Sequence, residues 1–157
     1  MKKVSITKLV GSIALSFLAG AIGSLATIPN IPSWYAALNK PFFSPPNWVF
    51  GPVWTLLYLL MSVSLYLLLQ TRSKLSKRCA CILFGAQLAL NALWSLVFFG
   101  AHQPWLGAVI IVLLLVMIVW TSVAFWRINR VASYLLVPYI MWVTFASCLN
   151  IAVAVLN

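Results

Sequence analysis

Five predominantly apolar runs, at about residues 4–28, 48–70, 79–99, 105–126 and 131–155, dictate what this chain can become. Each is about twenty residues or more, enough at 1.5 Å rise per residue to cross a hydrocarbon core of about 30 Å as a helix. In lipid every backbone N–H and C=O must be satisfied within the segment, so such runs fold as helices. Hydrophobic residues make up 64% of the chain and charged ones 6%, which leaves too little polar surface for a soluble fold. The expected fold class is an all-α integral membrane protein: residues 1–157 form a single five-transmembrane-helix bundle whose one long extramembrane loop is 29–47. Short connections make consecutive helices antiparallel neighbours.

The first run has alternatives. Its basic start and small residues near Ala26 also suit a secretory signal peptide. However, Ser16, Gly20 and Ser24 recur every four residues, a spacing that lets helices approach closely, and this favours a retained helix. The loop and the start of the second span hold Pro32, Pro41, Pro45, Pro46 and Pro52. Proline withholds an N–H and fixes φ, so a stiff aromatic loop is expected until past Pro46, with Asn47 as N-cap of the second span. Pro138 removes a bond to Tyr134 and should bend the fifth span.

Charge orients the bundle. Lys2, Lys3, Lys8, Arg72, Lys74, Lys77, Arg78, Arg127 and Arg130 fall on one side and only Lys40 on the other. The positive-inside rule then places the N-terminus in the cytoplasm and loop 29–47 outside, a bias that suits a bacterial plasma membrane. The net charge of +10 lies in short connecting segments rather than on one face, so topology explains it better than nucleic-acid binding.

Asp and Glu are absent altogether. This removes carboxylate-pair hydrolysis, a carboxylate-oriented catalytic His, acidic Mg²⁺ or Ca²⁺ sites and an acidic proton relay. Cys79, Cys81 and Cys148 read as reduced thiols packed as small apolar groups. His102, the one histidine, falls in a loop, so no metal site and no bundle-buried histidine-ligated haem is expected.

The polar residues inside the spans line up on faces. Gln87, Asn91, Trp94, Ser95 and Phe98 share one face of the third helix; Trp54, Tyr58, Met61 and Ser62 share one of the second. Trp142, Ala146 and Asn150 recur every four residues in the fifth. Amides in lipid are costly unless paired, so these faces should point inward. Two readings stand: interhelical hydrogen-bond glue, or a pocket with aromatic walls, polar anchors and room beside Ala146. Trp48, Trp105 and Trp126, at span ends, read as interface belt.

WYAALNKP at 34–41 with Pro45-Pro46, WVFGPVWTLLY at 48–58, QLALNALWSLVFFGA at 87–101 and VPYIMWVTFASCLN at 137–150 occur in order with the five spans. With these motifs the chain resembles the TspO/MBR family, the tryptophan-rich sensory proteins and mitochondrial translocator proteins (peripheral benzodiazepine receptors). The resemblance runs from about residue 34 to the end. It implies a five-helix bundle, commonly a homodimer, that binds tetrapyrroles such as protoporphyrin IX, with no covalent cofactor, and in some members cholesterol or benzodiazepine-type drugs. It further implies a ligand pocket at Tyr35, Trp54, Tyr58, Asn91, Trp94, Ser95, Trp142, Ala146 and Leu149. In bacterial members the tryptophans matching Trp54 and Trp142 are linked to photo-oxidative porphyrin breakdown. The cholesterol motif of animal members is missing, because Asn150 is followed by IAVAVLN with neither an aromatic nor a cation. Phe43 stands where many members have Trp.

The function expected is tetrapyrrole binding in an aromatic intrabundle pocket, for porphyrin sensing, trafficking or photo-oxidative degradation. Passive transport of porphyrin, sterol or another amphipath is the alternative. No acid–base pair or activated nucleophile accompanies these residues, so only light-dependent turnover is compatible with them.

Overall fold

The computed structural model describes residues 5–73, 75 and 77–157, so Lys2, Lys3, Lys74 and the first residue of the opening run lie outside the described residues. Among the described residues five helices are long and apolar enough to cross a membrane, Ile6–Tyr35, Asn47–Gln70, Arg78–Gly100, Pro104–Trp126 and Arg130–Leu156. In detail they comprise α1 (Ile6–Asn30), α2 (Asn47–Gln70), α3 (Arg78–Ser95), α4 (Pro104–Trp126), α5 (Arg130–Tyr134) and α6 (Val137–Leu156). The protein is an all-helical, multi-pass integral membrane protein.

Helix α1 outruns the sequence reading. It passes Pro29 and continues as a π-helical turn, Ile31–Tyr35, so the first third of the segment read as loop 29–47 is helix. Side chains also bond carbonyls of this stretch: Asn30 Nδ2 donates to Ala26 O at 2.8 Å and Ser33 Oγ to Pro29 O at 3.0 Å. A second π turn, Leu96–Gly100, ends the third span. The chain reverses through His102, the only non-glycine residue with positive φ (55°) among the described residues.

Two expectations about prolines and caps are corrected. Asn47 is the first residue of α2 rather than its cap, and the cap position falls on Pro46, which has no side-chain donor or acceptor. At Pro138 the fifth span breaks rather than bends. Helix α5 ends at Tyr134, Leu135 and Leu136 turn, and α6 restarts with Pro138 in its first turn, where its missing N–H costs little.

The helices close a ring: α1 packs on α2 and α3, α3 on α4, α4 on α5 and α6, and α2 on α5. Toward the other end of the bundle rings bridge α2 and α6, with Trp54 to Tyr139 at 6.2 Å and Phe50 to Trp142 at 5.9 Å. Without carboxylates the cations turn to backbone carbonyls. Lys8 Nζ and Lys77 Nζ both donate to Leu69 O, at 3.0 and 3.1 Å, at the C-terminal end of α2 where the helix dipole favours them. Lys40 lies at the opposite end over the Tyr35 ring, 4.9 Å from its centroid, and donates to Ala36 O and Leu38 O. There Asn157 joins the loop to the C-terminus through Asn39.

Candidate ligand-binding site

A cleft of about 660 Å³ opens between α1 and α2 and is backed by α3. Small residues on α1 let side chains of α2 and α3 come close along its edge. A Cβ at Gly20 would come within 2.6 Å of the Tyr58 ring, and one at Gly23 within 3.0 Å of Ser95 Oγ. The walls are aromatic. Trp54 lies 5.7 Å from Tyr58 and 6.3 Å from Trp94, at 30° in both cases. Trp94 in turn stacks on Phe98 at 5.7 Å.

Behind the walls runs a chain of hydrogen bonds. Tyr58 Oη donates to Asn91 Oδ1 at 2.5 Å, and Asn91 Nδ2 donates to Tyr139 Oη at 3.0 Å. Trp94 Nε1 donates to Asn150 Oδ1 at 2.9 Å, and Asn150 Nδ2 to Pro104 O at 2.8 Å. Asn91 and Asn150 are both almost fully buried, and every helix of the ring except α1 and α5 contributes a group. Asn91 and Asn150 are thus interhelical glue that fixes rings lining the cleft, whereas Gln87 reaches only Met61 Sδ, at 3.8 Å.

Of the nine residues that the resemblance singled out, Tyr35, Trp54, Tyr58, Asn91, Trp94 and Ser95 line this cleft together. Trp142, Ala146 and Leu149 do not. Ala146 and Leu149 are buried inside the bundle. Trp142 stands behind Phe50, which lines the cleft, and its buried Nε1 has no partner. Sequence reasoning missed the α1 side of the wall, namely Phe17, Gly20, Gly23, Ser24 and Thr27. Two stripes carried that signal, Gly20 with Ser24 and Gly23 with Thr27, each four apart and facing one way. Trp48, set aside as interface belt, lines the cleft while keeping 74% of its surface exposed.

Chemically the site is a set of flat apolar surfaces in which the polar groups of Tyr58, Asn91 and Trp94 already have partners. Among the described residues no group of three or more His or Cys side chains is placed to hold a metal. Burial, dispersion and ring stacking are what such a cleft offers a guest.

The model of the TspO/MBR family matches residues 12–156. The chain belongs to the TspO/MBR family. It is 43% identical to the tryptophan-rich protein TspO of Archaeoglobus fulgidus, over 98% of this chain and 99% of the relative. Identity to the tryptophan-rich protein TspO of Chlorobaculum tepidum is 46%, over 92% of each chain. The human translocator protein is 40% identical over 76% of this chain and 72% of its own length. The stretch of this TspO/MBR member that the family model matches, residues 12–156, takes in every residue lining the cleft.

Proposed function

We propose that this protein binds a tetrapyrrole of the protoporphyrin IX type in the cleft between α1, α2 and α3. The observation that carries the reading is a 660 Å³ space walled by Trp54, Tyr58, Trp94 and Tyr35, within the roughly 300–1,000 Å³ of small-molecule sites. A planar macrocycle offers large flat faces to indole and phenol rings. Anionic substituents at its rim meet no carboxylate side chain. Lys40, held over Tyr35 at the loop end, is the nearest cation on that side for them. Family membership supports the ligand class; the missing aromatic and basic residues after Asn150 argue against a sterol at the C-terminal end.

Porphyrin titration followed by tryptophan quenching tests this. Trp54→Ala should weaken binding about tenfold, the loss of one ring–ring contact plus its buried area. Trp142→Ala, outside the cleft lining, should leave affinity within about twofold, well under 1 kcal/mol. Equal affinity in the wild type and Trp54→Ala proteins rejects this cleft as the site. For light-dependent breakdown, with the bound porphyrin as sensitiser and dissolved dioxygen as the oxidant, Trp54 lines the cleft as a one-electron donor, with Trp142 one ring further through Phe50. Illumination should then yield a product that free porphyrin does not give.

A second reading, passive carriage, has its own support. Ala21, Ile28, Gly51 and Thr55 line the cleft yet are exposed on the flanks of α1 and α2, so the cleft opens sideways. A guest dissolved in the bilayer enters without crossing water. Proteoliposomes that move porphyrin no faster than empty vesicles would exclude carriage while leaving binding untouched. The same proposal takes the protein as a homodimer of a bacterial plasma membrane, with the basic end in the cytoplasm. Its support is the charge bias and the family.

A further inference from the structure

We infer that the basic end of α4 is a binding site for an anionic diacyl phospholipid. Two apolar grooves flank that end of the helix. One, of about 350 Å³, lies between α3 and α4 over Ala80, Leu83, Trp120 and Ala124. The other, of about 230 Å³, lies between α4 and α5 against Trp126 and Ser133. They meet at Val123 and Arg127, which line both. Two apolar channels converging on one guanidinium match the outline of a lipid with two acyl chains and one phosphate.

Charge complementarity names the occupant. The chain has ten cations and no carboxylate side chain, so no internal counterion is available. Three neighbouring cations find substitutes. Lys8 and Lys77 take the Leu69 carbonyl, and Arg130 lies 5.1 Å from the centroid of the Trp126 ring. Arg127 makes no such contact among the described residues, although its backbone N–H bonds Phe125 O at the α4 terminus. Its exposed guanidinium, in the region where the spans meet the headgroups, presents a planar fork that fits phosphate oxygens bidentately. Trp120 and Trp126 supply the ring surfaces that settle at that depth. A zwitterionic lipid presents the same phosphate with its charge offset, so an anionic headgroup is preferred. This site is separate from the cleft and does not depend on what the cleft binds.

The test is quenching by lipids brominated on the acyl chains, in phosphatidylcholine vesicles carrying full-length protein. The Trp120 signal is taken as wild type minus Trp120→Phe. Brominated phosphatidylglycerol should quench it at about one fifth the mole fraction that brominated phosphatidylcholine needs, the effect of one cation near an anionic headgroup. Arg127→Gln should bring the two lipids together, and Arg127→Lys, which keeps the charge, should hold most of the preference. Equal quenching by both lipids in the wild type means ordinary annular contact and overturns the site. A preference that survives Arg127→Gln overturns the assignment to this residue. Full competition by millimolar glycerol phosphate or inorganic phosphate would identify a soluble anion as occupant and reject the lipid.

Discussion

Gly20 shows how much one side chain decides here. Its absent Cβ is what lets Tyr58 lie against α1, since an added methyl would sit 2.6 Å from the ring. Gly20→Ala must therefore push Tyr58 or separate α1 from α2, at about 1–3 kcal/mol of overpacking. Expected outcomes are a lower melting temperature in detergent and weaker porphyrin binding, read by a thermal scan and the quenching titration. Gln87 is the opposite case. Its Nε2 reaches only Met61 Sδ at 3.8 Å and its buried Oε1 has no partner. An unpaired buried carbonyl costs about 1–3 kcal/mol, so Gln87→Met, of similar shape, should be neutral or stabilising. A drop in melting temperature would show that Gln87 holds a partner such as a buried water. Asn91 contrasts with both, because removing its amide leaves the Tyr58 and Tyr139 hydroxyls without the groups they use.

Among the elements, the turn between α3 and α4 is held in an unfavourable conformation by contacts to α1. His102 adopts φ 55°, stacks on Trp34 with ring centroids 4.6 Å apart and bonds Asn30 Oδ1 through Nε2 at 2.9 Å. Left-handed backbone costs a non-glycine residue about 1 kcal/mol, which these two contacts offset. The two effects separate by mutation. His102→Ala loses the contacts and keeps the strain; His102→Gly loses the contacts and relieves it. The glycine variant should melt higher than the alanine variant, and the reverse order would deny that strain is present. The α5–α6 break is likewise a local event. Asn129 caps α5 by accepting from Ala132 N at 3.1 Å and reaches α2 through Thr71 Oγ1 at 2.7 Å, so the short helix is tied to α2 as well as to α4.

For the whole molecule, the distribution of cations is the strongest constraint on orientation. Exposed Cys79 stands at the basic end, whereas Lys40 stands at the other. In right-side-out vesicles a membrane-impermeant maleimide should label Lys40→Cys from outside and reach Cys79 only after permeabilisation. The opposite pattern would invert the proposed topology. The number of helices and their approximate ends were legible in the sequence because lipid leaves an apolar run of this length few alternatives to a helix. Inward faces were legible too, since an amide such as Asn91 or Asn150 in a span has to find a partner. Helix periodicity, however, says which residues share a face and not which helix that face meets. Trp54, Tyr58, Asn91 and Trp94 were therefore recognisable as a set, but the space they enclose turned out to be closed by α1, with Trp142, Ala146 and Leu149 outside its lining. The prolines at 29 and 32 read as loop because propensity is local, whereas a π turn carries the helix on to Tyr35. Composition and order along the chain determined a membrane bundle of five apolar helices. Only the packing of glycines against aromatic rings decided where a guest has room, because contact between distant faces is a property of three-dimensional complementarity.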